Sequence, residues 1–104
     1  ELVLRAVRDL FADCAVTLPR LAERRADASL LFWLGNFDGL RRALAPGLAA
    51  AFAAPPARID HAAIDRAARV GHKAWRAVAE DLLSTWRRGG RPALRARAAA
   101  LAPA

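Results

Sequence analysis

The stretch from Asp60 to Arg88 places the strongest constraint on the fold, because its apolar residues recur at steps of three and four. That spacing is the period of one face of an α-helix. The residues of this face are Ile64, Ala67, Ala68, Gly71, Trp75, Val78, Ala79, Leu82, Leu83 and Trp86. The opposite face is charged. A helix of this length spans about 40 Å, so we expect the rest of the chain to pack along it.

Both ends of this helix carry their own signals. Asp60 is a preferred N-cap residue, whose carboxylate can accept a hydrogen bond from a backbone N–H group in the first turn. Arg87 and Arg88 suit the negative end of the helix dipole, and Gly89-Gly90 predicts the stop.

The remaining chain predicts shorter helices and an all-α fold. Ala, Leu and Arg dominate the composition, and these are strong helix formers. The main helices are predicted near 2–16, 19–34 and 60–88, and short helices at 39–45, 48–54 and 92–101. Thr17-Leu18-Pro19 predicts a break or kink, because Pro is tolerated in the first turn of a new helix but not in a helix interior. We expect a single helical domain over 1–104: a small bundle of three main helices plus short connecting helices, organised on the long helix, with 101–104 frayed.

An apolar run at the end of the second helix, residues 30–34, is the main local anomaly. Five consecutive large apolar side chains cannot all face one core, so some must meet another element or another molecule. Phe32, Trp33 and Phe37 are therefore the candidate residues for binding a protein partner or for self-association. The open alternative is that the short helices that follow cover these rings.

The C-terminal segment is strongly basic. Five arginines follow the last acidic residue, Asp81, so residues 82–104 carry a charge of +5 within a chain of net charge +7. Arginine binds phosphate and carboxylate through two parallel hydrogen bonds. The candidate residues for binding phosphate or an acidic partner are Arg87, Arg88, Arg91, Arg95 and Arg97.

Two alternatives stand beside this interpretation. The chain has 16 Arg and a single Lys, a bias that is also typical of GC-rich coding sequence. Trp86 could stack a nucleic-acid base beside the arginines. It also continues the apolar stripe that runs from Ile64 through Leu82, and this periodicity favours a place in the core.

Sequence motifs for catalysis or metal binding are missing. His61 and Asp65 share a helical face, but no third ligand is visible. Ser29 and Ser84 have no His in a nucleophile pattern, and no Gly-rich phosphate loop occurs. We therefore expect no catalytic residue, no metal site and no cofactor. Cys14 is the only cysteine, which excludes an internal disulfide.

The sequence lacks a signal peptide and an apolar run of the roughly 20 residues that span a membrane. We expect a cytoplasmic protein. The absence of Met indicates a processed or trimmed form.

These features predict a non-enzymatic accessory or interaction module, a small basic helical subunit of a larger assembly. Its apolar aromatic patch and its Arg-rich C-terminal segment would contact partners. One alternative is sequence-independent binding to a nucleic-acid backbone. Another is a helical domain that binds a small apolar ligand near Trp33, Trp75 and His72.

Overall fold

The long helix, α6 (His61–Leu101), is the element against which most of the other helices pack. The structure, a computed structural model, describes residues 1–52 and 58–103. α6 spans His61–Leu101, and the Asp60 carboxylate accepts a hydrogen bond from the Ala63 backbone N–H at 3.0 Å. The predicted N-cap is thus confirmed.

Gly90 divides α6 into two arms, residues 61–89 and 91–101. Its φ of 69° and ψ of −160° are not helical, and this is a conformation that essentially only glycine adopts. Leu82 of the first arm and Ala98 of the second are buried in one cluster. This contact requires the arms to run antiparallel, as a helical hairpin. The predicted stop at Gly89-Gly90 and the predicted last helix are therefore confirmed.

Shorter helices make up the rest of the described chain, which confirms the all-α prediction. They are α1 (Leu2–Ala12), a π-helical turn (Asp13–Thr17), α2 (Leu18–Glu23), α3 (Asp27–Gly35), α4 (Gly39–Leu44) and α5 (Pro46–Ala50). α4 begins directly after Asp38, which occupies the N-cap position without a side-chain hydrogen bond to the helix. The part of the predicted helix 48–54 that falls at 53–54 lies outside the described residues.

Of the break or kink predicted at Thr17-Leu18-Pro19, the break does not occur. α1, the π-helical turn and α2 form one continuous helix with right-handed backbone at each junction. Proline lacks an N–H group, and its ring crowds the carbonyl group four residues earlier. The π-helical turn wraps the chain more widely just before Pro19, and its last bond runs from the Leu18 N–H to the Asp13 carbonyl. The helix therefore continues to Glu23.

The helix ends instead at Arg24–Ala26, inside the region predicted as one helix from 19 to 34. Arg25 has a left-handed φ of 51°. Its N–H donates to the Ala22 carbonyl at 3.1 Å, and the Ala26 N–H donates to the Leu21 carbonyl at 3.0 Å. This pair of bonds is a Schellman motif, which usually has glycine at the left-handed position. Because arginine occupies that position, no glycine marks the end of the helix in the sequence.

Two clusters of buried residues lie along α6. The larger consists of Leu10, Cys14, Leu18, Ala22, Leu30, Phe37, Leu48, Ile64 and Ala68. The smaller consists of Val3, Val7, Leu82 and Ala98. Between them, Gly71 lets the π-helical turn approach α6 closely, because a Cβ atom at Gly71 would lie 2.5 Å from the Cys14 Sγ.

Candidate functional site

The aromatic residues predicted to bind a partner are divided between core and surface. Phe37 is 0% exposed. Its ring stacks on Trp33 at 4.6 Å between centroids, and Trp33 stacks in turn on Phe52 at 5.7 Å. Trp33 is therefore half-buried. The prediction that Phe37 contacts a partner is corrected, because this stack leaves Phe37 no accessible surface.

Phe32 is the exposed member of the predicted set, with 75% of its surface accessible. Leu31 beside it is also exposed, whereas Leu30 is fully buried. The apolar run 30–34 is therefore divided between two helix faces, as expected: one face packs on the core and the other is open to solvent. A small apolar surface, Leu31 with Phe32, remains on α3.

Arg41 holds the aromatic stack in place. Its Nη1 lies 3.2 Å from Asp13 Oδ2, and its Nη2 donates to the Asn36 carbonyl at 2.6 Å. The guanidinium carbon is 5.6 Å from the centre of the Phe37 ring, within the range of a cation–π contact. These bonds join α4 to the π-helical turn and to the end of α3, which indicates a structural role for Arg41.

Burial raises the pKa values of two side chains in the π-helical turn, Asp13 and Cys14. Burial raises the pKa of Asp13, and the Trp33 indole and the Arg41 guanidinium oppose this shift. The Trp33 Nε1 is buried and has no partner at hydrogen-bond geometry among the described residues. Burial also raises the pKa of the Cys14 thiol to about 11. Because a thiolate is the reactive form of cysteine, Cys14 is an inert core residue at neutral pH.

The far end of the α6 hairpin is exposed, and its charge is of one sign. We call residues 83–95 the hairpin tip. No residue of the tip is buried. Its arginines, all exposed, are Arg87, Arg88, Arg91 and Arg95, and none forms a salt bridge among the described residues. The tip contains no acidic residue.

Arg97 differs from the other four predicted arginines. Its Nε lies 2.7 Å from Asp81 Oδ2, sixteen residues earlier in the chain. Arg97 is therefore paired with an acidic residue that precedes the basic C-terminal segment. The physical reason is the turn at Gly90, which folds the second arm back beside Asp81.

Trp86 had two predicted alternatives, base stacking at the surface or a place in the core, and its periodicity favoured the core. It is 50% exposed. With Leu82, Leu83 and Leu94 it lines a shallow apolar groove of about 310 Å³ beside the tip arginines. The signal that could have found it is its position three residues before Gly89-Gly90. A stripe residue so close to a turn has little further chain to cover it.

The residues considered for a metal site and for an apolar-ligand site do not come together in the structure. His61 Nε2 lies 2.6 Å from Asp27 Oδ1, across α3 and α6, and not against Asp65. His72 packs on Phe11, with ring centroids 5.5 Å apart. Trp75 lines an apolar groove of about 480 Å³ between α5 and α6, which neither Trp33 nor His72 reaches. Within the described residues, no three His, Cys, Asp or Glu side chains are placed to hold a metal ion.

Comparison with known proteins gives a family but no described activity. Residues 1–103 match the family described as "Family of unknown function (DUF6866) C-terminal domain". The chain belongs to this family. Neither the curated proteins nor the solved structures contain a match. Among the helices of the described residues, none combines the length and the apolar character that a bilayer crossing requires.

Proposed function

We propose that the protein is a non-enzymatic interaction module that binds an acidic macromolecule through the hairpin tip. The observation that carries this proposal is the placement of four exposed arginines, without a carboxylate partner, on a tip that has no buried residue. Arginines outside the tip differ among themselves: Arg69 and Arg76 are paired with a carboxylate one helical turn away, whereas Arg20 and Arg66 form no salt bridge among the described residues. The tip is distinct because it combines four such arginines with the absence of any acidic residue in its sequence.

Electrostatics gives the reason that unpaired arginines matter. Like charges gathered around one turn repel each other, and they gain free energy when an anion binds between them. A partner that approaches the tip does not first have to break an existing ion pair. Arg97, which Asp81 already neutralises at 2.7 Å, is excluded from the proposed contact surface.

Leu31 and Phe32 form the second part of the proposal. They are adjacent and exposed on α3, and aromatic side chains often anchor protein interfaces. We assign them the protein contact or self-association of an accessory subunit in a cytoplasmic assembly. Sedimentation of the isolated chain should show self-association or poor solubility that Phe32→Ala relieves.

The experiment that tests the tip compares two double charge reversals. Arg91→Glu with Arg95→Glu changes the tip. Arg20→Glu with Arg66→Glu changes two exposed arginines away from it by the same net charge. Anisotropy at low salt measures binding to a labelled poly-glutamate peptide and to a labelled oligonucleotide.

We expect the unmodified protein to bind at least one of these polyanions. The tip variant should lose most of this binding, and the control variant should retain most of it. The proposal is wrong if neither polyanion binds, or if both double variants lose binding equally.

A further inference from the structure

We infer that the acidic partner of the hairpin tip is a single-stranded nucleic acid, whose phosphates contact the tip arginines while one base stacks on Trp86. This inference rests on the function proposed above and narrows it to one class of partner. Such a partner requires a basic surface along which its phosphate backbone can lie, and an accessible aromatic ring beside that surface.

The basic path follows from the turn at Gly90. Arg87 and Arg88 end the first arm, and Arg91 begins the second. Arg91 and Arg95 are four residues apart and therefore neighbours on one helical face. Because the arms are antiparallel, the four side chains surround the turn instead of meeting at one point. Such a distribution suits a chain of successive phosphates better than a single anion.

The aromatic face is provided by Trp86, half of whose surface is open to solvent. Leu83, one helical turn earlier, is exposed beside it, and Leu94 of the second arm completes the apolar groove. Bases of single strands stack on such aromatic rings, and this stacking tolerates any sequence. In a duplex, neighbouring base pairs already cover the faces of each base.

Two other acidic partners fit the tip less well. An acidic peptide would use the arginines but would leave the Trp86 ring without a partner. An anionic membrane surface favours apolar side chains that reach beyond the basic ones. At this tip the order is reversed, because the arginines flank the turn and Trp86 lies behind them on the first arm.

The test uses the intact chain and three labelled probes: a thymidine oligonucleotide, an abasic oligonucleotide of the same length, and a poly-glutamate peptide. Four phosphate contacts with a single strand predict a slope of about −3 in a plot of log affinity against log salt. Trp86→Ala should weaken binding of the thymidine oligonucleotide on the order of 10-fold, with little change for the abasic one. Trp86→Phe should restore most of the loss, since a phenyl ring still stacks.

The outcomes separate this inference from the function on which it rests. If the thymidine and abasic oligonucleotides bind equally and Trp86→Ala affects neither, base stacking is absent and the inference is overturned. Tighter binding of poly-glutamate than of either oligonucleotide overturns it in favour of an acidic protein partner. In both cases the proposed function survives. Failure of all three probes to bind at low salt overturns both.

Discussion

The two ends of the first α6 arm present the same helical pattern to very different surroundings. Near its start, Ile64 and Ala68 are fully buried under the side chains of the larger cluster. Beyond Leu82, the same stripe continues through Leu83 and Trp86, and both are about half exposed. Apolar periodicity therefore identifies the inward face of a helix, but it does not tell where the covering elements end.

The supply of neighbouring chain explains this difference. α2, the π-helical turn and α5 contact the early part of α6, and Val3 near the start of α1 reaches the cluster of Leu82 and Ala98. Past that point, within residues 1–52 and 58–103, the groove along the hairpin is lined by its own two arms, with Leu94 as the apolar contact from the second arm. One end of the arm is thus a core scaffold, and the other is a surface.

The largest expected effect tests this comparison with one aromatic residue from each region. Phe37→Ala removes a ring that is 0% exposed, and should lower the free energy of unfolding by about 3–5 kcal/mol. Trp86→Ala removes a half-exposed ring and should cost less than about 2 kcal/mol. Urea denaturation of both variants measures the difference. Equal costs would mean that the tip is packed as tightly as the core, which contradicts the comparison.

Sequence reasoning succeeded where a local chemical signal existed. The Asp60 cap, the Gly89-Gly90 stop and the long amphipathic helix all have such signals, and the structure contains each of them. It failed at Arg25, where no glycine marks the left-handed turn. It also failed at Arg97, because its contact with Asp81 depends on how the second arm folds back. Contacts of that kind are set by tertiary packing and leave no local pattern.

For the candidate site, the sequence identified the tip arginines but misjudged the aromatic residues. Phe37, expected at a partner surface, is buried, and Trp86, which its periodicity placed in the core, is half exposed. The five-residue apolar run required some exposed residues, and the structure selects Leu31 and Phe32. Which face of α3 is covered depends on the packing of α3 against α2 and on the stacking of Phe37 and Phe52 on Trp33, and neither could be inferred from periodicity.

At the packed end of the first arm, where the larger cluster lies, the π-helical turn approaches the α6 backbone closely at Gly71. Gly71→Ala tests this contact. The new Cβ atom would lie 2.5 Å from the Cys14 Sγ. We expect a loss of about 1–3 kcal/mol from overpacking, although alanine is the better helix former. In a Cys14→Ala background the clash is removed, so the same substitution should cost little or become stabilising. A double-mutant cycle by urea denaturation isolates this coupling.

Gly35→Ala is the matched control, because no atom lies within 4 Å of its added Cβ. A similar loss at Gly35 and Gly71, or the absence of coupling to Cys14, would show that the π-helical turn does not press on α6 at this point.

At the tip, glycine is required for its backbone conformation at Gly90, whereas at the packed end Gly71 is required for close packing. Gly90→Ala adds no clash, since the nearest heavy atom is the Pro92 Cδ at 3.9 Å. Its φ of 69° is nevertheless strained for alanine, and we expect a loss of about 1–2 kcal/mol. Thermal melting checks this, with Gly47→Ala as the unstrained control. A gain in stability would indicate that the arms prefer one straight helix, and would remove the basis for the Asp81–Arg97 pair.

The smallest expected effect concerns the corresponding left-handed residue at the packed end, Arg25. Glycine adopts a φ of 51° without the steric cost that arginine bears there, but it loses more chain entropy on folding. The net expectation for Arg25→Gly is a gain of about 0.5 kcal/mol. Arg24→Gly is the matched control, because Arg24 has a right-handed φ of −79°, and glycine should cost about 0.5–1 kcal/mol there. Opposite signs at these neighbouring positions, measured by urea denaturation, would establish that the helix ends by left-handed capping. Two losses would show that Arg25 contributes a contact that outweighs its strain.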